Sequence, residues 1–137
     1  MILGVDPGER RVGVALADEA TGVAVPSEVI DVHETDPVDR VAAIVEERGV
    51  TLVVVGLPVG LSGASGPAVR AQRAFVDALT ERLDVPVARH DERLTTVVAE
   101  RGLRAAGGSA ERRKQIRDAV AAQVMLQGYL DAQGGST

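Results

Sequence analysis

Cysteine and tryptophan are absent from this 137-residue chain, and phenylalanine and tyrosine occur once each, as Phe75 and Tyr129. Without cysteine there is no disulfide, no thiolate nucleophile and no Cys-ligated zinc. Two histidines, His33 and His90, are too few for a three-histidine zinc centre. The one lysine, Lys114, follows Arg113 rather than a glycine loop, which excludes a Walker A phosphate loop. Two aromatic rings cannot build a base-stacking platform of the RNA-recognition type. No apolar run reaches membrane-spanning length, and the chain begins directly on a strand-like segment rather than a signal peptide. What remains, at 45% hydrophobic and 26% charged residues, is the composition of one compact globular domain, expected in the cytoplasm and off the membrane. Its chemistry has to come from carboxylates, arginines, hydroxyls or backbone.

The first third reads as three strands joined by short turns. Residues 1–6 are apolar up to the turn Asp6-Pro7-Gly8; residues 11–17 alternate up to Asp18; residues 23–32 are rich in valine and interrupted by Pro26. The period then changes. Asp36-Pro37 supplies an N-cap and a first-turn proline, and Val38, Val41, Ala42, Ile44 and Val45 follow at helical spacing until Gly49. Residues 50–56 form a continuous β-branched run, the pattern of a strand buried on both faces. A Gly/Ser/Pro-rich loop over 57–66 precedes a helix from Pro67 to about Leu83. A short strand follows over 85–90, placed near a sheet edge by Pro86. Helices are expected over 94–106 and 111–132, separated by Gly107-Gly108. The predicted fold is α/β of the ribonuclease H-like kind: a five-stranded mixed sheet, with an antiparallel β1-β2-β3 meander followed by α-β-α-β-α-α, flanked by helices. A single domain is expected over residues 1–133, with 134–137 as a frayed tail.

Three acidic positions break their local pattern. Asp6 ends the first strand, Asp91-Glu92 end the last, and Asp118 sits inside the final helix with uncharged Ala122 and Met125 at i+4 and i+7. Singly, these read as a turn former, a strand terminator and a solvated helix residue. Jointly they converge if the fourth strand lies beside the first. Converging carboxylates repel and resist ionising unless a cation compensates. Magnesium or manganese suits such hard oxygen ligands, and two such ions can clamp the attacking and leaving oxygens of a phosphodiester. The turn Asp6-Pro7-Gly8-Glu9-Arg10-Arg11-Val12-Gly13 also fits the phosphate-holding hairpin of actin-like ATPases, but those enzymes need two such domains, and the likeness signifies a shared fold rather than a nucleotide site.

Four stretches carry a resemblance to a known family: Leu3-Gly4-Val5-Asp6-Pro7-Gly8 with Arg11-Val12-Gly13-Val14-Ala15; Val55-Gly56-Leu57-Pro58 followed by Gly63; His90-Asp91-Glu92-Arg93-Leu94-Thr95-Thr96; and Asp118-Ala119-Val120-Ala121-Ala122. Together they resemble the YqgF/RuvX proteins, ribonuclease H-like relatives of the Holliday-junction resolvase RuvC. The resemblance implies a magnesium- or manganese-dependent nuclease with Asp6, Glu92 and Asp118 as its catalytic, metal-binding acids. Asp91 rivals Glu92, because neighbours on a strand alternate faces. It implies maturation of the 5′ end of pre-16S ribosomal RNA. Alternatives are resolution of four-way DNA by a dimer, for which wedging aromatics are missing, and a non-catalytic RNA- or ribosome-associated factor.

Formal net charge is −5, so phosphate must be met by local rather than global potential. Fourteen arginines against one lysine favour bidentate phosphate contacts. The candidate nucleic-acid contacts are Arg70 and Arg73, at i, i+3 on one helix; Arg93, beside the last-strand acids; and Arg112, Arg113, Lys114 and Arg117, just before Asp118. The expected partners are structured RNA such as pre-rRNA or, alternatively, branched DNA, with the protein itself a monomer or weak homodimer. His90 is read as a packed strand-end residue rather than a proton donor.

Overall fold

A computed structural model of the chain describes residues 1–57, 67–91 and 110–134. They form β1 (Ile2–Pro7), β2 (Arg11–Asp18), β3 (Val23–Asp31), α1 (Pro37–Arg48), β4 (Leu52–Leu57), α2 (Pro67–Arg82), β5 (Val87–Asp91) and α3 (Ala110–Gly134). The strands make one sheet in the order β3-β2-β1-β4-β5. β1 and β3 each pair antiparallel with β2, while β1–β4 and β4–β5 are parallel. This is the mixed sheet expected from the sequence, with β4 beside β1. The expected helix over 94–106 and most of the expected loop over 57–66 lie outside the described residues.

Local chemistry explains the boundaries. The Asp36 side chain accepts from the amides of Val38 and Asp39, and Gly49 ends α1 in the left-handed region at φ 63°, where a β-carbon would be strained. The amide of Val50 donates back to the Val45 carbonyl at 3.1 Å, so Val50 completes the helix end and β4 starts at Leu52 instead of residue 50. At its other end β4 keeps Leu57, a residue the sequence assigns to the loop, through pairing with Asp91. Proline lies within one edge strand and just before the other, where a missing donor is tolerated. Pro26 lies in β3 beside a register shift that leaves Ser27 without a partner, and Pro86 immediately precedes β5.

The two sheet faces differ in the size of their side chains. One face presents Leu3, Val5, Val14, Leu16, Val53 and Val55 to α1 and α2, which bury Val41, Ile44, Val76 and Leu79 against them. The other presents Ile2, Ala15, Ala17, Ala24 and Val54 to Ala122, Met125 and Leu126 of α3. β2 shows the division clearly, with Val14 and Leu16 on the large-residue side and Ala15 and Ala17 under α3. Val53, Val54 and Val55 are fully buried, as the unbroken β-branched run requires.

Because its bed is built of small residues, α3 lies very close to the sheet. A β-carbon on Gly4 would stand 2.8 Å from the Leu126 β-carbon. Side-chain amides fix the helix along the edge strand. Gln127 Oε1 accepts from the Ala24 amide at 2.9 Å, while its Nε2 donates to the Gly22 carbonyl at 2.9 Å. Gln123 Nε2 donates to the Ala24 carbonyl at 3.1 Å. These bonds satisfy edge groups of β3 and pin α3 in register. Gly4→Ala is therefore expected to lose about 1–3 kcal/mol through overpacking, seen as a lower urea midpoint with an unchanged denaturant slope. An unchanged midpoint would contradict the close packing.

Candidate active site

Asp6 is the residue after the Val5–Val55 pair on β1, and it stands opposite Gly13 of β2. Strand alternation places it on the face of Gly4, toward α3. Gly13 is where the helix backbone comes closest, since a β-carbon there would fall 2.0 Å from the Asp118 carbonyl oxygen and 3.4 Å from the Ala122 β-carbon. No side chain fits in that space. The glycine thus lets the main chain of Asp118 rest on β2 directly across from Asp6, and acids 112 residues apart in sequence meet.

The electrostatics record that meeting. Asp118 is half-buried, and its carboxyl is held above the ordinary value, first by burial, which penalises the charged form, and next by the negative charge of Asp6. Arg11 and Arg117 pull the other way without cancelling the rise. Between α3 and the β1–β2 turn lies a cleft of about 250 Å³, lined by Gly8, Glu9, Arg10, Arg11, Arg117 and Asp118. The turn is tight, for a β-carbon on Gly8 would approach the Arg11 carbonyl oxygen to 2.6 Å. Its far side is tied to the end of β3 by the Val32 amide, which donates to the Arg10 carbonyl at 2.9 Å.

The next strands extend the same row. Gly56 of β4 pairs with His90 of β5, and the buried side chain of Gln72 on α2 donates to the Gly56 carbonyl at 3.1 Å. His90 packs edge-on against Tyr129 of α3, with ring centres 5.9 Å apart, and the absence of a side chain at Gly128 leaves room for its Nε2. This is the packing role the sequence assigned to it. Asp91 pairs with Leu57, one residue beyond, and so takes a register position of the opposite parity to His90. Glu92 and Arg93 lie outside the described residues. Arg70 and Arg73 are exposed on α2, and Arg117 is exposed at the cleft. Arg112, Arg113 and Lys114 belong to α3 within two turns before Asp118.

Among the described residues no three acids or histidines are grouped to hold a metal ion. Asp6 and Asp118 supply two carboxylates whose mutual repulsion a hard divalent cation would relieve, so the donor chemistry fits magnesium or manganese.

The pattern of the RuvX family, described as Holliday junction resolvase, matches residues 1–132. The chain belongs to this family. A Chloroflexus aggregans protein named "Putative pre-16S rRNA nuclease" is 47% identical over 132 residues, covering 96% of this chain and 93% of its own. Proteins of the same name from Ligilactobacillus salivarius and Bacillus cytotoxicus are 41% and 42% identical, over 97% and 96% of this chain and 93% and 98% of theirs. Among solved structures, T. thermophilus RuvC in complex with a Holliday junction substrate superposes with a TM-score of 0.59 at 16% identity, covering 98% of this chain and 96% of that one. The fowlpox virus resolvase in complex with junction DNA gives 0.55 at 12% identity, covering 96% and 97%. Those likenesses establish the RuvX-family chain as ribonuclease H-like in fold.

The sequence reading missed Gly13 and Gln72 as makers of the site. Gly13 had a signal in principle, a glycine inside an otherwise apolar strand, which marks close backbone approach. Two measurements check the geometry. Gly13→Ala is expected to cost about 1–3 kcal/mol of stability and to lower any activity that needs both acids by about 100-fold, through displacement of Asp118. Because the folded state raises the Asp118 carboxyl, ionising it opposes folding. Asp118→Asn should therefore stabilise the metal-free protein at neutral pH, and that gain should fade as pH falls through the carboxylate range, where the native side chain is protonated in folded and unfolded chains alike. A gain independent of pH in urea titrations would contradict the buried repulsion.

Proposed function

We propose that this RuvX-family protein is a magnesium- or manganese-dependent nuclease that hydrolyses phosphodiester bonds in structured RNA, with the 5′ end of pre-16S ribosomal RNA as its substrate. The observation that carries the reading is Asp118, held half-buried beside Asp6 although both burial and the neighbouring charge oppose its ionisation. A protein gains nothing in stability from that arrangement, and repelling acids in a cleft are a mark of function. The names of the relatives at 41–47% identity support the substrate class.

Asp6, Asp118 and Glu92 would hold the ion. Glu92 is preferred to Asp91 because Asp91 takes the parity opposite to His90, whose ring packs on α3. When bound, the ion supplies neutralising charge and Lewis-acid polarisation of the phosphodiester. The chain's own contribution is positional. Gly13 and Gly4 bring α3 down, the Gln123 and Gln127 bonds fix its register, and Arg117 places positive charge at the cleft mouth. Arg70 and Arg73, together with Arg93, Arg112, Arg113 and Lys114, would extend the contact to flanking phosphates as counterion-releasing cations. Water is the nucleophile and the 3′ oxygen the leaving group. The reading places the protein in the cytoplasm as a monomer or weak homodimer; among the described residues no helix is long and apolar enough to cross a membrane.

The second reading, resolution of four-way DNA, is favoured by the family's description and by the RuvC likeness, and it requires two active sites in a dimer. The test is cleavage of structured pre-rRNA and of a four-way DNA junction, with magnesium, manganese or chelator, alongside sedimentation. The expected result is metal-dependent cleavage of RNA that falls about 100-fold in Asp6→Asn, with a melting transition no lower than that of the wild type. Junction cleavage by a dimer supports the second reading. Chelator-insensitive RNA binding with no cleavage would make the protein a non-catalytic factor.

A further inference from the structure

The acids explain hydrolysis, but they do not explain how a polyanion approaches them. Two clefts meet at the β1–β2 turn, and both are lined by Arg10 and Arg11. The larger, about 400 Å³, also contains Glu28, Asp31, Glu34 and Arg40. Its Arg40 is already engaged, with Nε and Nη2 donating to the two Glu28 carboxylate oxygens at 2.9 and 2.8 Å. Arg10 Nε lies 3.9 Å from Asp31 Oδ2, and the three carboxylates of this cleft are matched by its three guanidiniums, which leaves no positive excess for phosphate. The smaller cleft, about 250 Å³, has the opposite balance, with Arg10, Arg11 and Arg117 against Glu9 and Asp118. It also opens on the acid whose charge feels both Asp6 and Arg11.

We propose that Arg10 and Arg11 of the β1–β2 turn, with Arg117 of α3, seat a backbone phosphate of the nucleic acid next to the acidic pair, so that the bound strand passes over this turn. The proposal rests on the nuclease reading for its substrate class. Arg11 is suited to this role because it is half-buried at the first position of β2, in register with Asp31, which limits the freedom it loses on binding. Gly8 keeps the turn tight, and the Val32–Arg10 backbone bond holds it to the sheet. Guanidinium groups carried on this turn present paired donors to phosphate oxygens, which an ammonium cannot match. Among the described residues lining this cleft, Glu9 is the exposed acid that opposes the ligand.

The experiment uses fluorescence anisotropy with a labelled RNA hairpin and a labelled four-way DNA junction, in chelator so that no cleavage intervenes, at several salt concentrations. Arg11→Gln is expected to weaken binding roughly tenfold. It should also reduce the slope of log affinity against log salt by about 0.7–0.9. Arg11→Lys should restore the slope but only part of the affinity. Glu9→Gln should tighten binding, a gain that no folding defect can mimic. Unchanged affinity and slope in Arg11→Gln, no gain in Glu9→Gln, or a wild-type chain that binds neither probe would overturn the proposal. Failure of the nuclease reading is separate: a wild-type chain that does not cleave with magnesium, while these binding changes hold, leaves the phosphate seat standing. Cleavage without the binding changes removes the seat and leaves the nuclease.

Discussion

The spacing between α3 and the sheet is the constraint on which the rest of this protein depends. Helices ordinarily pack on sheets through side chains, but here two glycines remove the intervening atoms on the strand side. At Gly4 the missing β-carbon admits the Leu126 side chain, and at Gly13 it admits the backbone of Asp118 itself. The alanines of β2 and β3 continue the same shallow bed. Hydrophobic burial of Ala122, Met125 and Leu126 supplies the attraction, while the glutamine bonds to β3 decide where along the sheet the helix stops. Nonpolar contact sets the depth and polar contact sets the register.

That geometry places a destabilising feature inside a stable frame. Burial and Asp6 both oppose the ionised form of Asp118, and the nearby arginines only partly offset them. On the proposed reading, a divalent ion would relieve this conflict by neutralising the two carboxylates. On the same reading, a chain of net charge −5 could still accept a polyanion, because Arg10, Arg11 and Arg117 border the cleft beside Asp118.

Much of the fold was legible because its signals are local. The Asp36-Pro37 start and Gly49 end of α1 are caps readable from a few residues, and the Val53-Val54-Val55 run declares a buried strand by composition. Asp6 and Asp118 stood out because each carries charge into an apolar pattern. The parity of Asp91 was not legible, because it becomes defined only once β5 is paired with β4 at His90–Gly56 and Asp91–Leu57. Nor could sequence show that Gly13 touches Asp118, that Gln72 serves Gly56, or that Gln127 holds an edge over a hundred residues away. Those contacts are long-range consequences of the fold. Val50 illustrates the boundary between the two kinds of signal: its β-branched neighbours mark a strand, but its amide is spent on closing the preceding helix.

The most direct test of the shared carboxylate site is a crystal grown with manganese and measured at a wavelength where the ion scatters anomalously. The account predicts an anomalous peak within coordination distance, about 2.0–2.3 Å, of carboxylate oxygens from both Asp6 and Asp118. A peak coordinated by only one of them, or none at saturating manganese, would contradict the claim that α3 descends onto the sheet to assemble a metal-binding pair.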